Sequence, residues 1–372
     1  MRALILADEF FASRERALLT RLEVGLADEG VRVIHAIPLR SKADSPGGVF
    51  SKVLTYAPKT FALTRPLAVR RLIGAIADLD GQEEAGQIDV VHVFGGSAWT
   101  LGAELAAELG AGLVLEVWRA GLVERALAVR AREDDPPLLI APDEAIERAL
   151  RDAAAAAGLE PTVRLAPWGV LTTGAGRTAL QPDRAITAMV VGSGRDAAAF
   201  AAAFEGLARV VRRFPDMQVF CDAVAARRAG VWALARRLDL LRNVSLIQEL
   251  EGRRDLLLHG DLLIQPDAHG EQRSIVLEAM AGGMVVVAAR DAAVSILKDG
   301  QTARLVPSGD AEAWHRVLAD VVDDPERSRR LAAAAHDFVK AHRRASDYVR
   351  AVLASYAWLT SEESIPFPGP TP

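Results

Sequence analysis

Residues 261–310 read DLLIQPDAHGEQRSIVLEAMAGGMVVVAARDAAVSILKDGQTARLVPSGD. An aspartate leads into a short apolar run, Asp261-Leu262-Leu263-Ile264, and Pro266 closes it. Proline has no N–H to give a β-ladder, so it marks a strand end. Ser274–Ala281 has the composition of a short helix, Gly282-Gly283 makes a turn, and Met284–Ala288 is a second apolar run too short for a buried helix. Ala303–Val306 supplies a third strand, and Gly309-Asp310 opens a further helix. Strand, loop, helix, turn and strand in this order form a crossover unit, which joins parallel strands.

The same alternation extends outward in both directions. Upstream lie strand candidates Ile186–Val191, Met217–Cys221 and Val244–Ile247, with helices near Ala197–Arg213 and Ala223–Leu240. Downstream are helices at Ala311–Val322, Glu326–Ala341 and Ser346–Leu359. An earlier series begins with the strand Arg2–Ala7 and the helix Ser13–Glu29, followed by strands at Val31–Ala36, Asp89–Val93, Gly112–Val117, Leu138–Ala141 and Val163–Ala166. Thr172–Arg184 lacks periodicity and reads as a linker. Strands alternating with helices predict parallel sheets covered on both faces. The expectation is two doubly wound, Rossmann-like α/β domains facing across a cleft: 1–171, a linker at 172–184, and 185–345. A helix at 346–360 is expected to cross back to the first domain, and the tail 361–372 to be disordered.

Composition agrees with a globular chain of this size: 372 residues, 51% hydrophobic and 25% charged, with a formal net charge of −5. That charge gives no general attraction to nucleic acid. A single cysteine, Cys221 in an apolar run, excludes an internal disulfide and a cysteine-based metal site. The N-terminus runs straight into a strand without the features of a signal peptide, and no apolar run approaches membrane-spanning length. The expected location is cytoplasmic, with an optional peripheral contact at the inner membrane face. The stretch Phe50–Ile73 carries Lys52, Lys59, Arg65, Arg70 and Arg71, no acid, and Phe50, Tyr56 and Phe61 interleaved. It reads either as a surface for anionic lipid or a phosphate-bearing acceptor, or as an ordinary loop and helix with solvated charge.

The pieces of 261–310, taken with Leu277-Glu278-Ala279-Met280-Ala281, Asp299-Gly300 and Leu305-Val306-Pro307, resemble the C-terminal half of family 4 glycosyltransferases, which have the GT-B fold. Asp89-Val90-Val91-His92 and Pro167-Trp168-Gly169-Val170 extend the likeness more weakly. The resemblance implies a nucleotide-diphosphate sugar as donor substrate, retention of anomeric configuration, and neither a metal nor another cofactor. The acceptor would be a glycan, a lipid-linked or a small molecule. By this likeness Glu278 binds the donor ribose. The residues point the same way, because a carboxylate in the first turns of a helix that follows a strand can accept from both ribose hydroxyls. The N-terminus of that helix, near Ser274, favours a diphosphate.

This chain departs from that family at several positions. The family separates two glutamates by seven intervening residues; counted back from Glu278, the first place holds Gly270, and Glu271 stands one residue later. The family's glycine–arginine pair and lysine after the first strand of the second domain correspond to Gly192-Ser193 and Ala198. Arg195, following the small loop Gly192-Ser193-Gly194, and Arg273 are the replacement cations, since guanidinium binds phosphate bidentately. Each also reads as an exposed solubilising charge. A histidine frequent in the family corresponds to Trp118, and a second to Phe94, while His92 remains. The resulting candidates are Glu271, Arg195 and Arg273 for catalysis and Glu278, Gly192, Gly194, Gly270 and Ser274 for the donor. His92, Gly95, Gly96 and Trp118 are the candidates for the acceptor. Asp78-Leu79-Asp80 reads as an acidic turn rather than a metal motif, and Ser97 lacks the glycines of a nucleophile elbow. Two further readings stay open: a non-catalytic GT-B module that binds nucleotide, glycan or a partner protein, and a sugar-phosphate enzyme such as an epimerase. A pyridoxal-phosphate phosphorylase is disfavoured, because the second domain offers only Lys298 and Lys340.

Overall fold

The computed structural model describes residues 1–39, 41, 51–57, 62–80, 87–132, 136–172, 174, 176–248, 250, 254–257 and 259–361. The expected tail beyond 361, together with Phe50, Lys59 and Phe61 of the basic stretch, lies outside the described residues. The chain divides into two units, Met1–Pro167 with Ser346–Pro372, and Trp168–Ala345.

The first unit runs β1 (Arg2–Ala7), α1 (Glu9–Arg14), α2 (Arg16–Asp28), β2 (Arg32–Pro38), β3 (Lys52–Tyr56), α3 (Arg65–Asp80), β4 (Val90–Phe94) and α4 (Trp99–Leu109). It continues with β5 (Gly112–Glu116), α5 (Val123–Ala128), β6 (Leu138–Ala141), α6 (Glu144–Ala156) and β7 (Val163–Leu165). Its seven parallel strands are ordered β3-β2-β1-β4-β5-β6-β7. β1 and β4 are buried along their whole length, as continuous apolar runs covered on both faces must be. The helix expected over 13–29 starts earlier, at Glu9, where Asp8 caps it by accepting from the N–H of Phe10 and Phe11, and it is interrupted at Glu15 into α1 and α2.

The second unit runs β8 (Thr187–Val190), α7 (Ala197–Arg213), β9 (Gln218–Asp222), α8 (Ala223–Arg228), α9 (Val231–Arg237), β10 (Val244–Ile247), α10 (Arg254–Leu257), β11 (Leu262–Gln265) and α11 (Ser274–Ala281). It ends with β12 (Val285–Ala289), β13 (Arg304–Val306), α12 (Ala311–Asp323) and α13 (Pro325–His342). Six parallel strands take the order β10-β9-β8-β11-β12-β13. The sequence reading joined α8 and α9; Gly230, at φ +68°, separates them. Aspartates at 196, 222, 310 and 324 cap α7, α8, α12 and α13, each accepting from backbone N–H groups of the first turn. Phe200, Phe204 and Trp314 pack with Val190, Val219, Ile264 and Val287 in its core. Asp261, at the head of β11, accepts from the N–H groups of Thr187 and Leu180 and from Arg177, which fastens the stretch read as a linker to this sheet. The last helix, α14 (Ala345–Thr360), lies almost wholly in the first unit. No helix of the described residues is long and apolar enough to cross a membrane.

Candidate functional site

In each sheet the strand order reverses direction once, between β1 and β4 in the first unit and between β8 and β11 in the second. Loops leaving the carboxyl ends of such a pair diverge and leave a crevice, the usual ligand position in open parallel sheets. Gly192, Ser193, Gly194 and Arg195 form the loop after β8, and residues 266–273 form the loop after β11. The donor-side candidates therefore sit on the two loops at the switch point of the second unit.

Asp267 holds these loops together. Its Oδ1 accepts from the Ser193 N–H at 3.0 Å and its Oδ2 from the Ser193 hydroxyl at 2.6 Å. The Ser193 hydroxyl in turn accepts from the Arg195 N–H at 3.1 Å. Gly192 is required here, since a Cβ would stand 2.3 Å from Asp267 Oδ1. Gly194, at φ +68°, lets the loop press on α8, where a Cβ would come within 2.3 Å of the Ala225 carbonyl oxygen.

From this frame Arg195 and Arg273 converge on Glu271. Arg195 Nη1 donates to Glu271 Oε1 at 3.2 Å, and Arg273 Nη1 donates to Oε2 at 3.0 Å. The Arg273 side chain is 2% exposed and that of Glu271 5%, whereas that of Arg195 is 52% exposed. A buried guanidinium is tolerable only when its charge is answered nearby, and Glu271 answers it. Two cations share one carboxylate, so Glu271 offsets part of their charge. Gly270, at φ +63°, donates its N–H to Asp291 Oδ2 at 2.7 Å and so turns Glu271 toward the arginines. Arg273 is the N-cap of α11, Ser274 its first residue and is buried, and Glu278 is half-buried one turn further on. The sequence reading brought forward Arg195, Glu271 and Arg273 separately; the structure brings all three together.

Two residues at this site were not foreseen. Asp267 and Ser193 are 74 positions apart, and only the β8–β11 pairing makes them neighbours. Arg228, the last residue of α8, donates from Nη1 to the Ser193 carbonyl oxygen at 3.3 Å. Its signal in the sequence was only a pair of arginines within the helix expected over Ala223–Leu240.

The first-unit candidates are placed differently. His92 was expected at a strand end, facing an acceptor. It lies in the middle of β4, fully buried, with Nδ1 2.8 Å from the Tyr356 hydroxyl on α14 and Nε2 3.3 Å from Glu116 Oε2. Burial drives its pKa down from 6.5 to about 3, so the ring is neutral. This corrects the expectation: a central strand in a two-sided sheet turns its side chains into the core. Trp118 is also buried, stacked on half-buried Phe10 with ring centres 4.3 Å apart. Gly96 is buried against Leu122 and Gly95 beside Asp8, whose carboxylate accepts from the Ser97 hydroxyl at 2.9 Å. Ser97 is thus a partner of that carboxylate. Burial raises the Asp8 pKa, against the hydrogen bonds from Phe11 and Ser97 that lower it. Asp78 stands near the end of α3, and no group of three metal-ligating side chains occurs among the described residues. Of the basic stretch, Leu63, just before α3, is 96% exposed and Leu67, in its first turn, 51%, with Arg70 and Arg71 also exposed.

Residues 226–338 match the family model described as glycosyl transferases group 1. The phosphatidyl-myo-inositol mannosyltransferase of Mycobacterium tuberculosis is 36% identical over 141 residues, which cover 35% of this chain and 36% of that protein. The lipopolysaccharide core biosynthesis glycosyltransferase LpsE of Rhizobium meliloti is 26% identical over 135 residues, 36% of this chain and 40% of that protein. The chain thus matches well under half the length of either relative. Among solved structures, Anabaena HepE in complex with UDP-glucose superposes with a TM-score of 0.70 at 14% identity, covering 95% of this chain and all of that one. At that identity the likeness shows the fold, which is GT-B.

Proposed function

We propose, from the group 1 glycosyltransferase domain that this chain carries over residues 226–338, that it transfers a sugar from a nucleotide-diphosphate sugar to an acceptor. The observation that carries the reading is the convergence of Arg195, Glu271 and Arg273 beside the start of α11, at the switch point of the second sheet. In this reading Glu278 accepts from the donor ribose. Glu271 meets the donor sugar, with buried Arg273 setting its position and adding charge. Arg195, the exposed cation, faces the diphosphate, along with the loop at Gly192 and Gly194 and the α11 N-terminus at Ser274. Charge builds on the diphosphate as the glycosidic bond breaks, and preorganised cations there lower the barrier. Retention of configuration, a hexosyl donor and independence of metal follow from the family likeness. The acceptor is a glycan, a lipid-linked or a small molecule. The exposed Leu63 and Leu67 with Arg70 and Arg71 favour one presented at an anionic membrane.

A second reading, a module that binds without turnover, is favoured by one observation: both arginines are already paired to Glu271. Incubation with UDP-, GDP- and ADP-sugars separates the two. An enzyme releases the nucleoside diphosphate over time, through transfer or slow hydrolysis, and Arg195→Ala slows that release. A donor that binds and stays intact over days selects the second reading.

A further inference from the structure

We infer that Arg228 is a further phosphate-binding residue of the donor site; this rests on the nucleotide-sugar reading above. The argument is one of charge and placement. A donor diphosphate brings negative charge on both phosphates, whereas Arg195 and Arg273 both pair with Glu271, which offsets part of their charge. Arg228 is the guanidinium beside the same loop that has no carboxylate within ion-pair distance among the described residues. Its one contact there is Nη1 to the Ser193 carbonyl oxygen at 3.3 Å. That bond occupies one of five N–H donors and leaves the rest of the fork to a ligand.

The scaffold that holds Arg228 is firm. Asp222 caps α8 by accepting from the N–H groups of Val224 and Ala225 at 3.0 and 2.9 Å. Gly194 closes on Ala225 of the same helix, so α8 and the loop are packed directly together. Arg195 and Arg228 therefore flank Ser193–Gly194, one from within the loop and one from the helix packed on it. Arg227, next to it, folds back on its own helix, donating from Nε to the Ala223 carbonyl oxygen at 3.2 Å, and is not at the loop. The nearby acids point elsewhere, Asp222 into the helix cap and Asp267 to Ser193, and neither forms an ion pair with Arg228.

The full chain is titrated calorimetrically with UDP, GDP and ADP, and with the monophosphate and nucleoside of whichever binds. Arg228→Gln is expected to weaken the diphosphate about tenfold, as loss of a charge-assisted hydrogen bond does, and to leave the nucleoside unchanged. Arg228→Lys is expected to recover most of the loss. Melting temperatures of both variants should match the parent, because the side chain is exposed. Diphosphate binding unchanged in Arg228→Gln overturns the assignment and leaves the nucleotide-sugar reading standing. An equal loss for nucleoside and diphosphate also overturns it, as it marks a structural role. If the parent chain binds none of these nucleotides, both the assignment and the reading beneath it fall.

Discussion

Asp267 takes both the N–H and the hydroxyl of Ser193 while buried, so each loop at the switch point depends on the other. Asp267→Ala strands two buried donors; the expected cost is about 1–3 kcal/mol of stability, read by urea denaturation, with a parallel loss of nucleotide affinity. An unchanged midpoint would mean the loops are held by something else. His92 gives a pH dependence. Its ring titrates near 6.5 when unfolded and at about 3 when folded, so between these values the unfolded chain binds more protons. Its contribution is complete above pH 6.5 and drains away as pH falls toward 3, by about 1.4 kcal/mol per pH unit. Denaturation of the parent and of His92→Gln from pH 7.5 to 5 should show that slope in the parent and a shallower one in the variant. Glu278, Glu271, Arg195 and Arg273 came forward as candidates in the sequence from the family likeness and from their places near a turn or helix start. Asp267 and Arg228 were not, because their partner at position 193 is 74 and 35 residues away. Spacing along the chain is silent about contacts made across a sheet.

At the scale of elements, the donor site depends on the contact between the loop after β8 and helix α8. Gly194→Ala would place a methyl 2.3 Å from the Ala225 carbonyl oxygen at a left-handed backbone position. The expected result is a loss of about 1–3 kcal/mol in stability and weaker nucleotide binding, since the loop must lift from the helix. A variant as stable as the parent and with full affinity would contradict this packing. Apolar runs and helical patterns with clear boundaries could be read directly: β1, β6, β10, α7 and α11 match the expected ranges. β3 escaped because Lys52–Tyr56 is an edge strand, mostly half-buried, inside a stretch read for its charge. The break between α8 and α9 escaped because Gly230 interrupts an otherwise continuous helical pattern.

For the whole molecule, the alternation of strand and helix was enough to read two parallel α/β sheets, because crossover units allow few other solutions. The acceptor side was not readable: a histidine after a strand-like run looks the same whether it ends the strand or sits within it. The second unit has its own core, running from Ala179 to Ala332. A fragment of residues 168–345 should therefore unfold cooperatively and retain the nucleotide affinity of the full chain; a fragment that folds but binds nothing would place part of the site elsewhere. The most direct measurement is calorimetric titration of the full chain with nucleoside diphosphates and their sugars, repeated with Glu278→Ala. The account predicts saturable binding of one nucleotide series, weakened about tenfold or more by the substitution through the lost ribose hydrogen bonds. Absence of binding to any of them, or binding indifferent to Glu278, would contradict it.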